Sequence, residues 1–221
     1  MKANLSNLRR GALLVVIAAL PMLIGGNAMA IEEPSYQVVR TYPGFELRRY
    51  GAYIVAETEV RGGFDEVGNQ AFSILAGYIF GNNTSKTKIE MTAPVSQQPA
   101  GGGERIAMTA PVTQKRTGGR DRDSYILSFV MPARFTLQSL PEPTDPRVHF
   151  REEPARLMAV RRYSGRWTEG NYRRNESALL GAVRDAGLKP VGEAIYARYN
   201  SPFSLWFLRR NEVMIEVEKA K

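Results

Sequence analysis

The sequence predicts an α+β domain made of two similar halves, each with the order strand, strand, long helix, strand, strand. Two observations support this: the same succession of alternating and helical periodicities occurs twice, at about 35–131 and 147–218, and a proline-containing linker at 132–146 separates the copies. A duplicated unit of this kind can pair its halves about a pseudo-twofold axis. We therefore expect a distorted antiparallel β-barrel with two long helices against it.

The first half begins with two predicted strands and continues with a helix. Residues 45–49 alternate between apolar and charged side chains, and residues 52–60 are rich in β-forming types. Apolar residues then recur at helical spacing, with Asp65 as the predicted N-cap and Gly81 as the predicted C-terminal stop. Another strand is predicted at 125–131.

The second half repeats this order. Residues 148–150 alternate, and 157–163 form a predicted strand. A helix of about twenty residues is predicted from 168 to 186 because its apolar residues fall on one face. The last predicted strands are 194–199 and 212–217.

A ten-residue segment occurs twice, at 88–97 and 105–114, and both copies contain Met-Thr-Ala-Pro-Val. Each copy alternates apolar and polar residues, which predicts a half-buried strand. Because proline cannot donate a hydrogen bond to a neighbouring strand, each strand is expected to end at its proline or to lie on an edge. The glycine-rich stretch 98–104 predicts a flexible connection between them.

Residues 1–30 are predicted to be a secretory signal peptide. A basic start at 2–10 precedes an apolar run at 11–24, and Ala-Met-Ala at 28–30 matches a small-residue cleavage site. The apolar run is short for a membrane span, and an uncleaved anchor is the alternative. We therefore expect the remaining residues, 31–221, to form a single domain that is exported to the periplasm.

The chain has no cysteine, which excludes disulfides, thiolate metal sites and cysteine nucleophiles.

The chain is basic, with a formal charge of +8. Residues 1–30 carry three bases and no acid, which leaves +5 on residues 31–221. In an exported protein such a surface fits anionic lipid, an envelope surface or ligand carboxylates better than nucleic acid, and a plain solvated face is the alternative.

Several distinctive motifs follow one another along 31–221. In chain order they are Phe45-Glu-Leu-Arg-Arg-Tyr-Gly51, Ala76-Gly-Tyr-Ile79, both Met-Thr-Ala-Pro-Val segments, Val130-Met-Pro132, Leu140-Pro-Glu-Pro143, Tyr199-Asn-Ser-Pro202 and Arg209-Arg-Asn-Glu-Val213. Together they resemble the SOUL haem-binding family. The resemblance implies a distorted β-barrel with two helices. It also implies binding of haem or another porphyrin in an apolar cleft near the first helix, without catalysis.

Five residues are candidates for such a site. Phe72, Leu75 and Ala76 on the first helix are predicted to line the slot for the porphyrin ring, with Asn69 beside them. Arg49 would pair with a propionate, since arginine gives bidentate contacts to carboxylates. The resemblance places Arg49 where a family member has a histidine ligand, and a guanidinium cannot ligate iron. The sequence therefore does not identify an axial ligand for the iron. The alternative to propionate binding is that Arg48 and Arg49 are ordinary charged side chains exposed on a strand.

Other side chains could ligate iron. Tyr50 or Tyr53 could do so as a phenolate if an adjacent arginine lowered its pKa, and Met91 or Met108 as a thioether. For each of these the alternative is packing in the core or at its rim. The single histidine, His149, lies on an alternating strand and is predicted to face away from the core.

The function expected from the sequence is therefore non-enzymatic: a monomer that sequesters or carries haem or a related tetrapyrrole. The lone histidine has no Gly-x-Ser-x-Gly context that would indicate a serine hydrolase. Two alternatives stay open: binding of another apolar, lipid-like anion on the same scaffold, and an interaction module that uses the repeat hairpin.

Overall fold

A computed structural model describes residues 31–84, 103–117, 124–201 and 203–219. These residues form strands and two α-helices, together with a 3-10 helix at Trp206–Leu208. In chain order the elements are β1 Tyr36–Tyr42, β2 Phe45–Tyr50, β3 Tyr53–Arg61, α1 Phe64–Ile79, β4 Asn83–Thr84, β5 Val112–Arg116, β6 Ser124–Val130, β7 Glu142–Pro143, β8 His149–Glu153, β9 Arg156–Tyr163, α2 Glu169–Asp185, β10 Leu188–Arg198 and β11 Asn211–Lys219.

Nine of these strands form one antiparallel sheet, in the order β1-β2-β9-β11-β10-β5-β6-β3-β8. The predicted α+β class with two long helices is confirmed. The sheet does not close into a barrel, however, because within the described chain β1 pairs with β2 alone and β8 with β3 alone. The remaining two strands, β4 and β7, pair with each other and bring the linker region 132–146 against the end of α1.

The strand order of the sheet is symmetric with respect to the two predicted halves. Without β1, each strand has a counterpart in the other half: β2 corresponds to β8, β3 to β9, β5 to β10 and β6 to β11. When every strand is replaced by its counterpart, the same order is obtained, read from the opposite edge of the sheet. The central pair, β5 with β10, joins the two halves. The first strand of each half pairs with the second strand of the other half: β2 pairs with β9, and β8 pairs with β3. This is the arrangement that a pseudo-twofold axis produces.

The hydrophobic core lies between the helices and one face of the sheet. α1 packs on β3 and β6, and α2 packs on β9, β10 and β11. Side chains from both helices and from the strands beneath them are fully or almost fully buried there: Val67, Leu75, Leu127, Ala159, Tyr172, Leu179, Val213 and Ile215. The alternation read from the sequence therefore predicts the helix-covered face correctly.

The two helices begin differently. The Oγ1 atom of Thr168 accepts a hydrogen bond from the Asn171 backbone N–H and caps α2, whose bounds lie within one residue of the predicted 168–186. α1 begins at Phe64 after Gly63, and no side chain caps it. The prediction of Asp65 as N-cap is wrong, since Asp65 lies inside the first turn. Gly81 has a φ of 119° and follows the end of α1, as predicted.

The repeated segments depart from their prediction. The copy at 88–97 lies outside the described residues. In the second copy the strand begins after Pro111 instead of ending there: β5 starts at Val112, and the backbone N–H groups of Ile106 and Ala110 donate to Ile79 and Glu32 outside the nine-stranded sheet. Tertiary partners therefore override the alternating pattern in this segment.

Residues 1–30, which carry the predicted signal peptide, also lie outside the described residues. Among the helices that the structure describes, none combines the length and apolar character needed to span a membrane.

Candidate functional site

The second face of the sheet, turned away from the helices, carries polar and aromatic side chains. On β2, Phe45 and Leu47 belong to the helix-covered core, so the alternating residues Glu46, Arg48 and Tyr50 face the other way. A smaller buried cluster forms on that second face from Tyr50, Met158, Val160, Ala197 and Met214. We call this the helix-free face.

A cavity of about 170 Å³ opens on the helix-free face. We call it the tyrosine cleft, because Tyr50, Tyr53 and Tyr199 line it. Its other lining side chains are mostly apolar or small, with four charged residues among them: Pro34, Val55, Pro111, Thr113, Lys115, Ile126, Ser128, Val130, Arg151, Glu153, Arg156, Ile195 and Met214. The combination of an apolar lining with a few polar groups is typical of small-molecule sites.

The charged residues of the tyrosine cleft are mainly basic. Glu153 is buried and pairs with Arg151 at 2.7 Å and with Arg156 at 3.0 Å, while Arg156 also donates to the Tyr53 hydroxyl at 3.3 Å. The buried Nε of Arg156 has no acceptor among the described residues. Lys115 has no carboxylate within ion-pairing distance in the described chain. The cleft can therefore accept an anionic group.

A buried ion network adjoins the cleft. Glu212 is fully buried; it accepts hydrogen bonds from Arg48 Nη1 at 3.1 Å and from the Tyr199 hydroxyl at 2.6 Å. Arg210 donates to the second oxygen of Glu212 at 3.0 Å and also pairs with Glu33 at 2.9 Å. Because both oxygens of Glu212 are satisfied, the buried charge is compensated, and the network fixes the Tyr199 side of the cleft.

The tyrosines of the cleft are held in their neutral form. Burial raises the pKa of Tyr50, Tyr53 and Tyr199 above the ordinary value, and neighbouring arginines offset this effect only in part. The condition given for phenolate ligation, a pKa of Tyr50 or Tyr53 lowered by an adjacent arginine, is therefore not met, because desolvation outweighs the arginine, and the alternative of packing fits both rings. These side chains offer hydroxyl groups and apolar rings.

The five residues predicted from the sequence lie elsewhere. Leu75 is fully buried in the core and Ala76 is buried on the same helix. Phe72 is half-buried and packs on the Phe129 ring at 5.4 Å between centroids. Asn69 is exposed on α1, and none of these four lines the tyrosine cleft. Arg49 is exposed and borders a shallow hollow at β1 and β2, separate from α1.

Three further expectations can be compared with the structure. Arg48 is not an exposed strand charge: it is 4% exposed, within the ion network. Met108 is 42% exposed, so core filling is wrong for it, because its segment is not the predicted strand; Met91 lies outside the described residues. His149 is exposed at the start of β8, as predicted.

Sequence reasoning missed Lys115, Arg156 and the buried Glu212. Glu212 carries little local signal, because β11 reads Asn-Glu-Val-Met-Ile-Glu-Val-Glu-Lys and Glu216 and Glu218 occupy the same alternating positions. Lys115 and Arg156 carry no local signal either, since basic residues are common on strands that face solvent.

Comparisons with known proteins agree with this architecture. The C-terminal domain of EcmrR superposes with a TM-score of 0.56 at 12% identity, covering 84% of this chain and 99% of that domain, which shows a shared fold. Heme-binding protein 2 of Mus musculus is 26% identical over 209 residues, covering 87% of this chain and 93% of the relative. Its Homo sapiens counterpart is 26% identical over 207 residues, covering 86% and 92%. Residues 31–216 match the SOUL heme-binding protein family, and the chain therefore belongs to that family.

Proposed function

We propose that this chain is a non-enzymatic binding protein for haem or a related tetrapyrrole, and that the tyrosine cleft holds the ligand. Family membership and the heme-binding names of the mouse and human relatives support the ligand class. One observation carries the choice of site. The cleft is an apolar cavity that is also lined by Lys115 and Arg156, and in the described part of the chain Lys115 has no carboxylate within ion-pairing distance and the buried Nε of Arg156 has no acceptor.

The space available fits a planar ring that extends beyond the cleft. The cleft alone is smaller than most ligand pockets, which enclose about 300–1,000 Å³. A second cavity of about 420 Å³ adjoins it and shares Pro34, Tyr53 and Val130 as lining residues. A tetrapyrrole lying across both would contact Tyr53 and Val130 and bury most of its apolar surface.

Charge orients the ligand within this space. The second cavity is bordered by three acids, Glu32, Glu33 and Glu152, whereas the cleft is bordered by three bases and one acid, Lys115, Arg151, Arg156 and Glu153. The propionates of a porphyrin would therefore point into the cleft, where Lys115 and Arg156 would donate charge-assisted hydrogen bonds. A haem would supply a flat apolar surface, an iron and two carboxylates. The neutral tyrosines favour holding it by ring and carboxylate contacts over phenolate ligation.

A carrier or sequestering role fits this chemistry. His149 lies outside both cavities, so the described cleft lacks the imidazole that hydrolases commonly use as a general base. We retain export to the periplasm as part of the same proposal, supported by the composition of residues 1–30. A monomeric state is retained with it.

A second candidate ligand is a narrower apolar anion such as a fatty acid. The small volume of the cleft favours it, because a single acyl chain with a carboxylate fits such a space more readily than a porphyrin ring. Displacement of a fluorescent fatty-acid analogue by hemin would show whether the two compete for one site.

A hemin titration of residues 31–221, followed by absorbance, tests the proposal. Thr113→Trp places a large ring in the cleft, and Lys115→Ala removes the free ammonium. The matched controls are Asn69→Trp on α1 and Arg49→Ala at the hollow of β1 and β2, the positions that the sequence favoured. We expect saturable one-to-one binding that weakens about tenfold or more with Thr113→Trp and severalfold with Lys115→Ala.

The controls separate the two locations. Both control variants should bind hemin like the unaltered protein. Loss of binding in Asn69→Trp with normal binding in Thr113→Trp would move the site to α1 and overturn the cleft. A spectrum that stays that of free hemin at every protein concentration would overturn tetrapyrrole binding itself.

A further inference from the structure

The connection between β10 and β11 exposes a concentrated group of large apolar side chains. Five of them lie within six residues, and their exposed fractions range from 48% for Trp206 to 95% for Phe203: Phe203, Leu205, Trp206, Phe207 and Leu208. We call this the aromatic loop, residues 203–208. Soluble domains rarely expose so many apolar side chains contiguously without a partner for them.

The aromatic loop is a structured turn. Leu208 N–H donates to the Leu205 carbonyl at 3.0 Å, which closes the 3-10 turn. The Trp206 carbonyl accepts from Gly165 N–H at 3.2 Å, and Arg209 Nε donates to the Ser204 carbonyl at 2.9 Å. Because the backbone is tied at its base, the apolar side chains are held outward without a large cost in ordering.

The surroundings of the aromatic loop are basic. Between Ala194 and Asn211 the sequence has three arginines and no acid, although Arg210 is paired with Glu33 and Glu212 in the ion network. The neighbouring stretch 161–168 likewise has three arginines and no acid. Arg166 is exposed and lies 5.6 Å from the centroid of the Trp206 ring. An apolar tip with a cationic surround complements the interface of an anionic bilayer, where tryptophan and arginine are both favoured.

We propose that the aromatic loop docks the protein on an anionic lipid bilayer, with Phe203, Trp206 and Leu208 entering the interface. Charge complementarity selects the bilayer over a second copy of this chain, because two basic surrounds would repel each other across a symmetric contact. Docking of this kind adds apolar burial to electrostatic attraction, so it requires both the loop and the anionic headgroups. It does not depend on tetrapyrrole binding.

Tryptophan fluorescence gives a direct test, because the chain has two tryptophans. Residues 31–221, which contain every described helix and strand and form one compact unit, would be prepared with Trp167→Phe, so that Trp206 alone reports. Vesicles of phosphatidylcholine with phosphatidylglycerol should shift its emission to shorter wavelength, and brominated lipid should quench it. Vesicles of phosphatidylcholine alone should bind about tenfold more weakly.

Co-sedimentation with the same vesicles keeps the test independent of the tryptophan change. The double variant Phe203→Ser with Leu208→Ser should lose at least about tenfold in vesicle partitioning. A matched control, Val38→Ser with Val39→Ser, removes two exposed apolar side chains from β1 instead and should bind normally. Equal binding by both variants, or no binding by the unaltered protein, would overturn the proposal. So would a dimer in light scattering that the loop variant abolishes, since the loop would then serve self-association.

Discussion

The two faces of the nine-stranded sheet are made by the same strands and yet differ in what they bury. Beneath the helices most buried side chains are apolar, such as Leu75, Leu127 and Ile215, and the buried polar Gln114 is uncharged. On the helix-free face, Arg48 and Glu212 are buried just as deeply although they are charged. Buried ion pairs seldom stabilise a fold more than apolar residues of the same size would. The buried ion network therefore distinguishes the helix-free face, which carries the proposed tyrosine cleft.

High pH should have the largest effect on stability, through tyrosines of both faces. Burial raises the pKa of Tyr50 and Tyr199 on the helix-free face, and of Tyr78, Tyr163 and Tyr196 beneath the helices. Above the ordinary value of 10.0 the unfolded chain loses these protons while the folded chain keeps them. Stability is thus complete below that pH and falls as the pH rises, by up to about 1.4 kcal/mol per unit for each group.

Urea unfolding at a series of pH values, with tyrosinate absorbance recorded alongside, measures this loss. Tyrosinate from the buried rings should appear together with unfolding. If all ten tyrosines instead ionised reversibly near pH 10 while the circular dichroism stayed native, the burial described on both faces would be contradicted.

Removing the buried carboxylate should have the next largest effect. Glu212→Gln leaves Arg48 and Arg210 without the charge that both contact, and we expect the free energy of unfolding to fall by about 3–5 kcal/mol. Glu46→Gln is the matched control, because Glu46 also pairs with Arg48 but its side chain is 39% exposed; it should cost about 1 kcal/mol or less. Denaturant titrations give both values, and similar losses in the two variants would show that burial does not distinguish these carboxylates.

Two neighbouring residues of β6 sharpen the comparison further. Leu127 is fully buried beneath the helices, whereas Ile126 lines the tyrosine cleft on the opposite face. Leu127→Ala should lower the free energy of unfolding by about 2–5 kcal/mol and leave hemin affinity in the surviving folded protein unchanged. Ile126→Ala should cost about 1 kcal/mol and weaken hemin binding. The reverse pattern, from urea unfolding and hemin titration of both variants, would assign the faces the opposite roles.

Local sequence periodicity was sufficient to predict the order of helices and strands along the chain. It was insufficient to predict which strands pair with each other. α2 could be placed within a residue because Thr168 caps it and its apolar positions repeat at helical spacing. The segment 105–112 looked like a strand by the same reasoning. Its N–H groups instead bond to Ile79 and Glu32, which are distant in sequence, and no local pattern encodes such partners. For the same reason, closure of the sheet could not be decided from the sequence.

The candidate site shows the same limit at the scale of one residue. Arg48 and Arg49 are neighbours in the sequence, and the alternation of a strand sends them to opposite faces. The choice of Arg49 followed from the resemblance, whereas the structure buries Arg48 against Glu212, which lies 164 positions away. Lys115 became a candidate only when β5 and β10 were seen side by side, because its neighbours in the cleft come from distant strands.

The symmetric strand order described for the sheet also has a consequence for how the domain unfolds. β2, from the first half, pairs with β9 of the second, and β8 pairs with β3 in the same way. Each half therefore pairs its first strand with a strand of the other half, so the halves are interlocked rather than stacked. The domain is therefore expected to melt as one cooperative unit, and a single cut in the linker 132–146 would leave two fragments that still hold each other.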